Sequence, residues 1–483
     1  MVVNNCAQGG IEVFVPSSDQ PWDRQRIQHL LKRLNFGGSP LEIESASQAT
    51  PEGLVDYLID QAINAPLPDP PEWANWDVSD YPEDPFPLIY EQAFAYLSQW
   101  IGTMVELGFR EKMALFWHNL FVTRFQAYEC PSYQHQYHTL LQKHALGNFK
   151  TLVYEMGKTP AMLVFLNGAQ NTKFSPNENY ARELYELFTL GRDIGYTQTD
   201  ITETARALTG FVGWEVFCGP INFVGDYFDD GEKTIFGQKG NWGYDDVHRI
   251  LFEQKQDLIA QHLSKKLYQN LVHPQIDQQI VDQMAQTMIN NDFEMAPVLR
   301  QLFKSAHFFD EYNIGATIKS PIELLLGFIK DTGMEFNDEE FRNNAMYIAA
   351  NLGQELFNPP DVAGWSGDRS WINSNTITLR WQALEYYAWY FFDKQKDKLI
   401  DLAKRLSENS NDVAVVTKAL VDHFVTKGLP ENTDYDKATQ AFKIEIPQNY
   451  FDNKQWNLDW DTVPVQVAFL LNHLGHLPAY QLS

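Results

Sequence analysis

Apolar residues recur at helical spacing along most of the chain. Ile27, Leu30, Leu31 and Leu34 form the first such stripe, with Asp23 placed to cap its start and Gly37-Gly38 placed to end it. Thr50-Pro51-Glu52 opens a second helix, because Thr accepts from a free first-turn N–H and Pro has none to satisfy. The same period predicts helices near 88–108, 110–125, 131–146, 177–190, 198–208, 256–270, 276–290, 294–305, 320–332, 338–352, 376–393, 411–425 and 463–474. The fold class is therefore mainly α, a large irregular multi-helix domain with long proline-rich loops.

Two stretches break the period. Residues 65–87 alternate seven prolines with Trp73, Trp76, Tyr81 and Phe86, a composition that favours an ordered connector of extended and turn segments. Residues 211–243 hold seven glycines among aromatic and β-branched residues, which predicts a small β-rich excursion of short strands and tight turns. No fixed-period repeat is present, which argues against a helical solenoid. The expected organisation is a main helical domain over 1–395 that contains both interruptions, followed by a C-terminal helical region over 396–483. That region packs back through Val463, Val467, Leu470, Leu471 and Leu474.

Composition narrows the partners. The chain has 483 residues, is 44% hydrophobic and carries a formal charge of −26, so it can bury a large core and repels nucleic-acid phosphates and anionic membrane surfaces. Thirteen acidic residues, from Glu42 to Glu106, lie between Arg33 and Arg110 with no basic residue among them. Half of the net charge thus surrounds the connector, which reads either as a self-packed loop or as an acidic, aromatic docking surface involving Trp73 and Trp76. The longest aromatic run, Tyr386 to Phe392, is too short to span a membrane, and some of its rings must face away from any single core. Residues 1–22 show no secretory signal, so the sequence points to the cytoplasm. Cys6, Cys130 and Cys218 are odd in number and far apart, which predicts neither a disulfide framework nor a metal knuckle, and a reducing compartment.

Standard catalytic signatures are absent: there is no GxSxG elbow, HExxH helix or GxGxxG turn, and Gly157-Lys158-Thr159 lacks the upstream glycine of a phosphate loop. No cofactor or metal is expected. The densest polar block runs from Ser175 to Gly191, where Asn179, Arg182, Glu183 and Glu186 share a helix face and Glu178 pairs with Arg182 at i, i+4. Asn177, Asn179, Arg182 and Arg206 are candidate binding residues, and Trp365 stands in a Pro359 to Trp365 segment that could bind with them. Glu183, Glu186 and Asp229 are candidate acid and base groups, with His118 in an aromatic patch as a further candidate. Each has a structural alternative: the carboxylates tie helices through arginines, and His118 is a hydrogen-bonded core residue. Asp229, Asp230 and Glu232 suggest a cation site less than a solvated turn.

Taken in order, the block from His29 to Gly37, Leu146-Gly147-Asn148-Phe149, Pro160 to Leu163, Asn177 to Gly191, Thr209-Gly210, Lys319 to Glu323 and Pro359 to Trp365 are similar to one known pattern. From about residue 24 to about residue 385 the chain resembles the bacterial domain-of-unknown-function family eighteen hundred (DUF1800). The resemblance implies a mostly helical protein, a family in which many members are exported, and a protein partner, since the neighbouring gene often encodes a phosphatase- or sulfatase-like protein. Two positions depart from the pattern: Leu120 and Phe228 stand where the family usually has His.

Two functions follow. The first is a helical binding or assembly protein that pairs with a partner polypeptide. The alternative is a hydrolase acting on a glycan or other polar polymer through a carboxylate-lined cleft.

Overall fold

The computed structural model describes residues 7–336, 338–444 and 446–483; Cys6 lies outside them. The chain is 60% helical and 4% strand. Local chemistry sets the helix starts. Asp23 accepts from the Arg26 N–H at the head of the helix Arg24–Asn35, and Ser39 with Glu42 forms a reciprocal capping box on Pro40–Ala46. Thr50 caps Pro51–Asn64, and Ser320 with Glu323 caps Pro321–Thr332. The first helix ends one residue earlier than its glycines suggest, because Phe36 itself takes the left-handed step (φ 66°) and buries its ring.

Several boundaries move for physical reasons. The stripe near 110–125 becomes Phe109–Leu120 and the short turn Phe125–Tyr128, since the chain leaves helical geometry at Phe121. The stripe near 256–270 is the second half of Tyr244–Leu271, whose non-helical residue Lys255 breaks the period and hides the first half from a pattern reading. The block near 177–190 divides into Asn179–Glu183 and a π-helical turn, Leu184–Thr189. In the connector, residues 73–76 turn, Val78–Asp80 forms a 3-10 turn, and a long helix begins at Phe86 and runs to Leu107. The excursion holds two small antiparallel pairs, Phe211–Val212 with Asn222–Phe223 and Lys233–Ile235 with Gln238–Gly240.

One expectation is overturned. Cys130 and Cys218 form a disulfide, with Cα atoms 5.5 Å apart, although 88 residues separate them in sequence. The excursion folds back over the start of the helix Pro131–Lys143, where the Tyr133 hydroxyl donates to the Gly219 carbonyl and brings the two thiols together. Cysteine counting cannot see this, because the pairing is made by tertiary contact alone.

The buried apolar residues form one contiguous cluster from Phe14 to Tyr480. The C-terminal region is tied to the first helix: Arg24 bonds His423 Nδ1 at 2.6 Å, Gln28 donates to the His423 carbonyl at 2.7 Å and Lys32 donates to Thr426 Oγ1 at 2.9 Å. Among the described residues, no helix is long and apolar enough to cross a membrane.

Candidate functional site

The polar block from Asn177 to Gly191 builds a salt-bridge network on the surface. Arg182 reaches Glu178 at 3.0 Å and Glu186 at 3.2 Å, and Arg192 lies 3.6 Å from Glu186. Gln198 and Thr202 of the helix Gln198–Ala207 donate to Glu178, so this network joins two helices. Asn177 accepts from the Asn179 N–H, and the Asn179 amide donates to Asn167, which shapes the entry to the helix. Glu183 is half-buried and its side chain makes no hydrogen bond or ion pair with a described residue; burial first, and then the charge of Glu186, raise its pKa against the opposing arginines.

Asp229 belongs to a second network. Arg206 holds it at 2.8 Å and Glu203 at 2.9 Å, and the Asp229 N–H donates to Thr209. Burial acts to raise the Asp229 pKa, but Arg206, the Gly231 N–H and Lys233 outweigh it and keep the carboxylate below its ordinary value. Glu232 faces Lys239 at 2.7 Å. Among the described residues, no hydrogen bond or ion pair joins Asp229 to Glu183 or Glu186, and no three His, Cys, Asp or Glu side chains converge to hold a metal.

His118 is fully buried. Its Nε2 accepts from the Phe357 N–H at 3.0 Å, which leaves Nδ1 to donate to the Tyr137 hydroxyl at 2.7 Å, and burial pushes its pKa down to about 3. The ring is thereby held neutral and orders the segment that leads to Trp365. The next residue, Asn119, clamps that segment directly: its Oδ1 accepts from the Trp365 N–H at 2.7 Å and its amide donates to the Trp365 carbonyl at 3.2 Å.

Trp365 therefore sits on the wall of a cleft of about 670 Å3. The walls come from Phe109–Leu120, the end of Tyr244–Leu271, the start of Pro321–Thr332 and residues 363–371. Lys112 crosses it to Glu323 at 2.8 Å, and Leu120, one of the two departures from the family pattern, is part of its lining. Lys112, Lys266, Glu323, Arg369 and Trp371 were not singled out as site residues from the sequence. Of these only Glu323 falls in a block visible as a motif, Lys319 to Glu323, and nothing in the chain order shows that positions more than 200 residues apart share one cavity.

The connector tryptophans turn inward. Trp73 packs edge-on against Tyr96 at 5.6 Å and Trp76 against Tyr81 at 5.4 Å, and both are half-buried. The exposed rings lie just beyond them, on the next helix. Phe86, Tyr90 and Phe94, at i, i+4 and i+8, are 48%, 49% and 48% exposed on one face of Phe86–Leu107.

The acidic interval divides sharply here. Glu42 pairs with Lys330, Glu44 with Arg405, Glu52 with Lys304, and Asp56 and Asp60 with Arg300. Asp69, Glu72, Asp77, Asp80, Glu83, Asp84, Glu91 and Glu106 have no ion pair with a described residue. The fold neutralises the first part of the interval and leaves the connector and the aromatic helix uncompensated.

The family model for proteins of unknown function DUF1800 matches residues 29–482. The chain belongs to this family. The match runs about a hundred residues past the point where the motif resemblance stops, so the DUF1800 unit takes in the C-terminal helical region together with the cleft and both salt-bridge networks. No curated protein and no solved structure matches the chain.

Proposed function

We propose that the protein is a helical assembly protein that docks a basic polypeptide on the connector and the exposed face of Phe86–Leu107. The observation that carries this reading is the coincidence of two features along the connector and the helix that follows it. Eight carboxylates of the connector and of Phe86–Leu107 make no ion pair with a described residue, and three large aromatic rings on that helix are about half exposed. Monomeric proteins rarely leave contiguous apolar faces open, and aromatic side chains anchor interfaces. The charge selects a basic partner and steers its approach.

The excursion extends this face. Phe217 lies 6.3 Å from Phe86 and 6.2 Å from Tyr81, and the adjacent Cys218 pins it there through Cys130. That bond supports a compartment that oxidises thiols over the reducing default. The test is purification from the native host. The wild-type protein should bring a stoichiometric basic partner that is released by salt and lost by the F86S/Y90S/F94S variant; a monomer with no partner contradicts the reading.

A second reading, a hydrolase acting on a glycan, is favoured by Glu183, whose raised pKa beside Glu186 suits a proton donor. Release of reducing ends from a polysaccharide panel, abolished by E183Q, would support it; equal turnover by E183Q would remove it.

A further inference from the structure

The cleft beside Trp365 carries charge that the fold does not use. Lys112 and Glu323 neutralise each other across it, and Glu323 also accepts from the Ser320 N–H at 2.9 Å. Lys266 enters from the helix Tyr244–Leu271, and Arg369 from the turn Asp368–Trp371. Neither side chain makes a hydrogen bond or ion pair with a described residue. Lys266 is part-buried and burial alone pushes its pKa down, which is the signature of an ammonium group without an anion. Of the two lining carboxylates, Glu323 and Asp368, Asp368 makes no ion pair with a described residue. On a chain of net charge −26, a cleft whose free charges are two cations and one anion runs against the overall field.

The remaining lining is of two kinds. Asn270 and Ser366 supply an amide and a hydroxyl with no side-chain bond to a described residue, whereas Asn119, Gln269, Ser320 and Ser370 each keep part of their capacity after bonding Trp365, the Pro274 carbonyl, the Glu323 N–H and the Gly367 carbonyl. Trp365, Trp371 and Phe116 supply aromatic surface, and the Trp365 indole N–H is buried without an acceptor. Asp368 takes a left-handed step (φ 46°) directly after Gly367 and immediately before Arg369, a conformation uncommon for a residue with a side chain. A volume of about 670 Å3 lies within the range of small-ligand sites, roughly 300–1,000 Å3.

We propose that this cleft binds an acidic saccharide, with its carboxylate held by Lys266 and Arg369, its hydroxyls by the amide and hydroxyl side chains, and its apolar ring face against the aromatic wall. A sugar hydroxyl donates and accepts at one atom, which matches the free Asn270 amide and Ser366 hydroxyl and the remaining capacity of Gln269, Ser320 and Ser370. An acidic peptide would offer the carboxylate but not the dense array of hydroxyls.

The test is calorimetric titration of the full, disulfide-intact protein with digalacturonate, neutral galactobiose and the dipeptide Glu-Glu. Digalacturonate should bind, and the other two should bind at least tenfold more weakly. K266Q and R369Q should each weaken digalacturonate at least tenfold, whereas K266R, which keeps the cation, should stay within a few-fold of wild type. Circular dichroism and melting temperature confirm that each variant is folded. Equal binding of galactobiose overturns the role of the carboxylate, and equal binding of Glu-Glu overturns the saccharide. Failure of digalacturonate to bind, or full binding by K266Q, overturns the site itself. None of these outcomes touches the partner-docking reading, which concerns the other surface.

Discussion

At Gly364 an added Cβ would stand 2.3 Å from Asn119 Oδ1 and 2.6 Å from the Asn119 carbonyl oxygen, and the backbone there has φ 80°. Glycine is required for both reasons, because the clamp that holds Trp365 needs close backbone approach and a left-handed step. G364A should therefore break the two Asn119 bonds and destabilise the fold by about 1–3 kcal/mol, read as a lowered midpoint in urea. A midpoint equal to wild type would show that the Trp365 segment is not held this way. Glu323 makes a pH prediction. Burial acts to raise its pKa, but Lys112, the hydrogen bond between them, the Ser320 N–H and Arg33 outweigh burial and hold it at about 2. A depressed carboxyl stabilises the fold fully above its unfolded value near 4.5 and loses that contribution as pH falls towards 2. The contribution is about 3 kcal/mol before the cost of burying the Lys112 ammonium, which burial pushes down. E323Q should lower stability at pH 7 and flatten the loss of stability between pH 5 and 2; an acid limb as steep as wild type would contradict the assignment.

The excursion is the element most dependent on a single link. The Cys130–Cys218 bond closes a loop of 88 residues and holds Phe217 against the connector. C218S should cost about 2–4 kcal/mol of global stability and, before any global change, open residues 213–221 to limited proteolysis. An unchanged cleavage pattern would show that the hairpin contacts suffice. This element also marks where sequence reading stops. Its glycines and β-branched residues were enough to predict short strands, and the caps Thr50 and Asp23 placed helix starts within a few residues. Helices of a few turns, such as Phe149–Met156 and Pro160–Phe165, and the segment before Lys255 carry too short or too interrupted a stripe to register. The candidate residues of the Asn177 to Gly191 block and of Asp229 were legible as charged motifs, and their arginine partners with them. The disulfide and the cleft were not, because both are made by segments brought together only when the core closes.

For the whole molecule, the distribution of charge matters more than its sum. The fold spends Arg300, Lys304, Lys330 and Arg405 on Glu42 to Asp60 and, among the described residues, pairs no cation with the carboxylates from Asp69 to Glu106. An attraction built on these exposed groups weakens as salt shortens the screening length, about 10 Å at 0.1 M and about 3 Å at 1 M. Partner affinity should therefore fall at least tenfold between 0.1 and 0.5 M salt; salt-independent binding would place the contact elsewhere. The same interval contains no lysine or arginine between Arg33 and Arg110, so amine-directed cross-linkers cannot label it and its carboxylates can be tested selectively. The most direct measurement is zero-length carbodiimide coupling of the complex purified from its native host, followed by mass spectrometry. The account predicts bonds from Glu83, Asp84 or Glu91 to lysines of a second polypeptide, lost in F86S/Y90S/F94S. Cross-links confined to other surfaces, or none between chains, would contradict it.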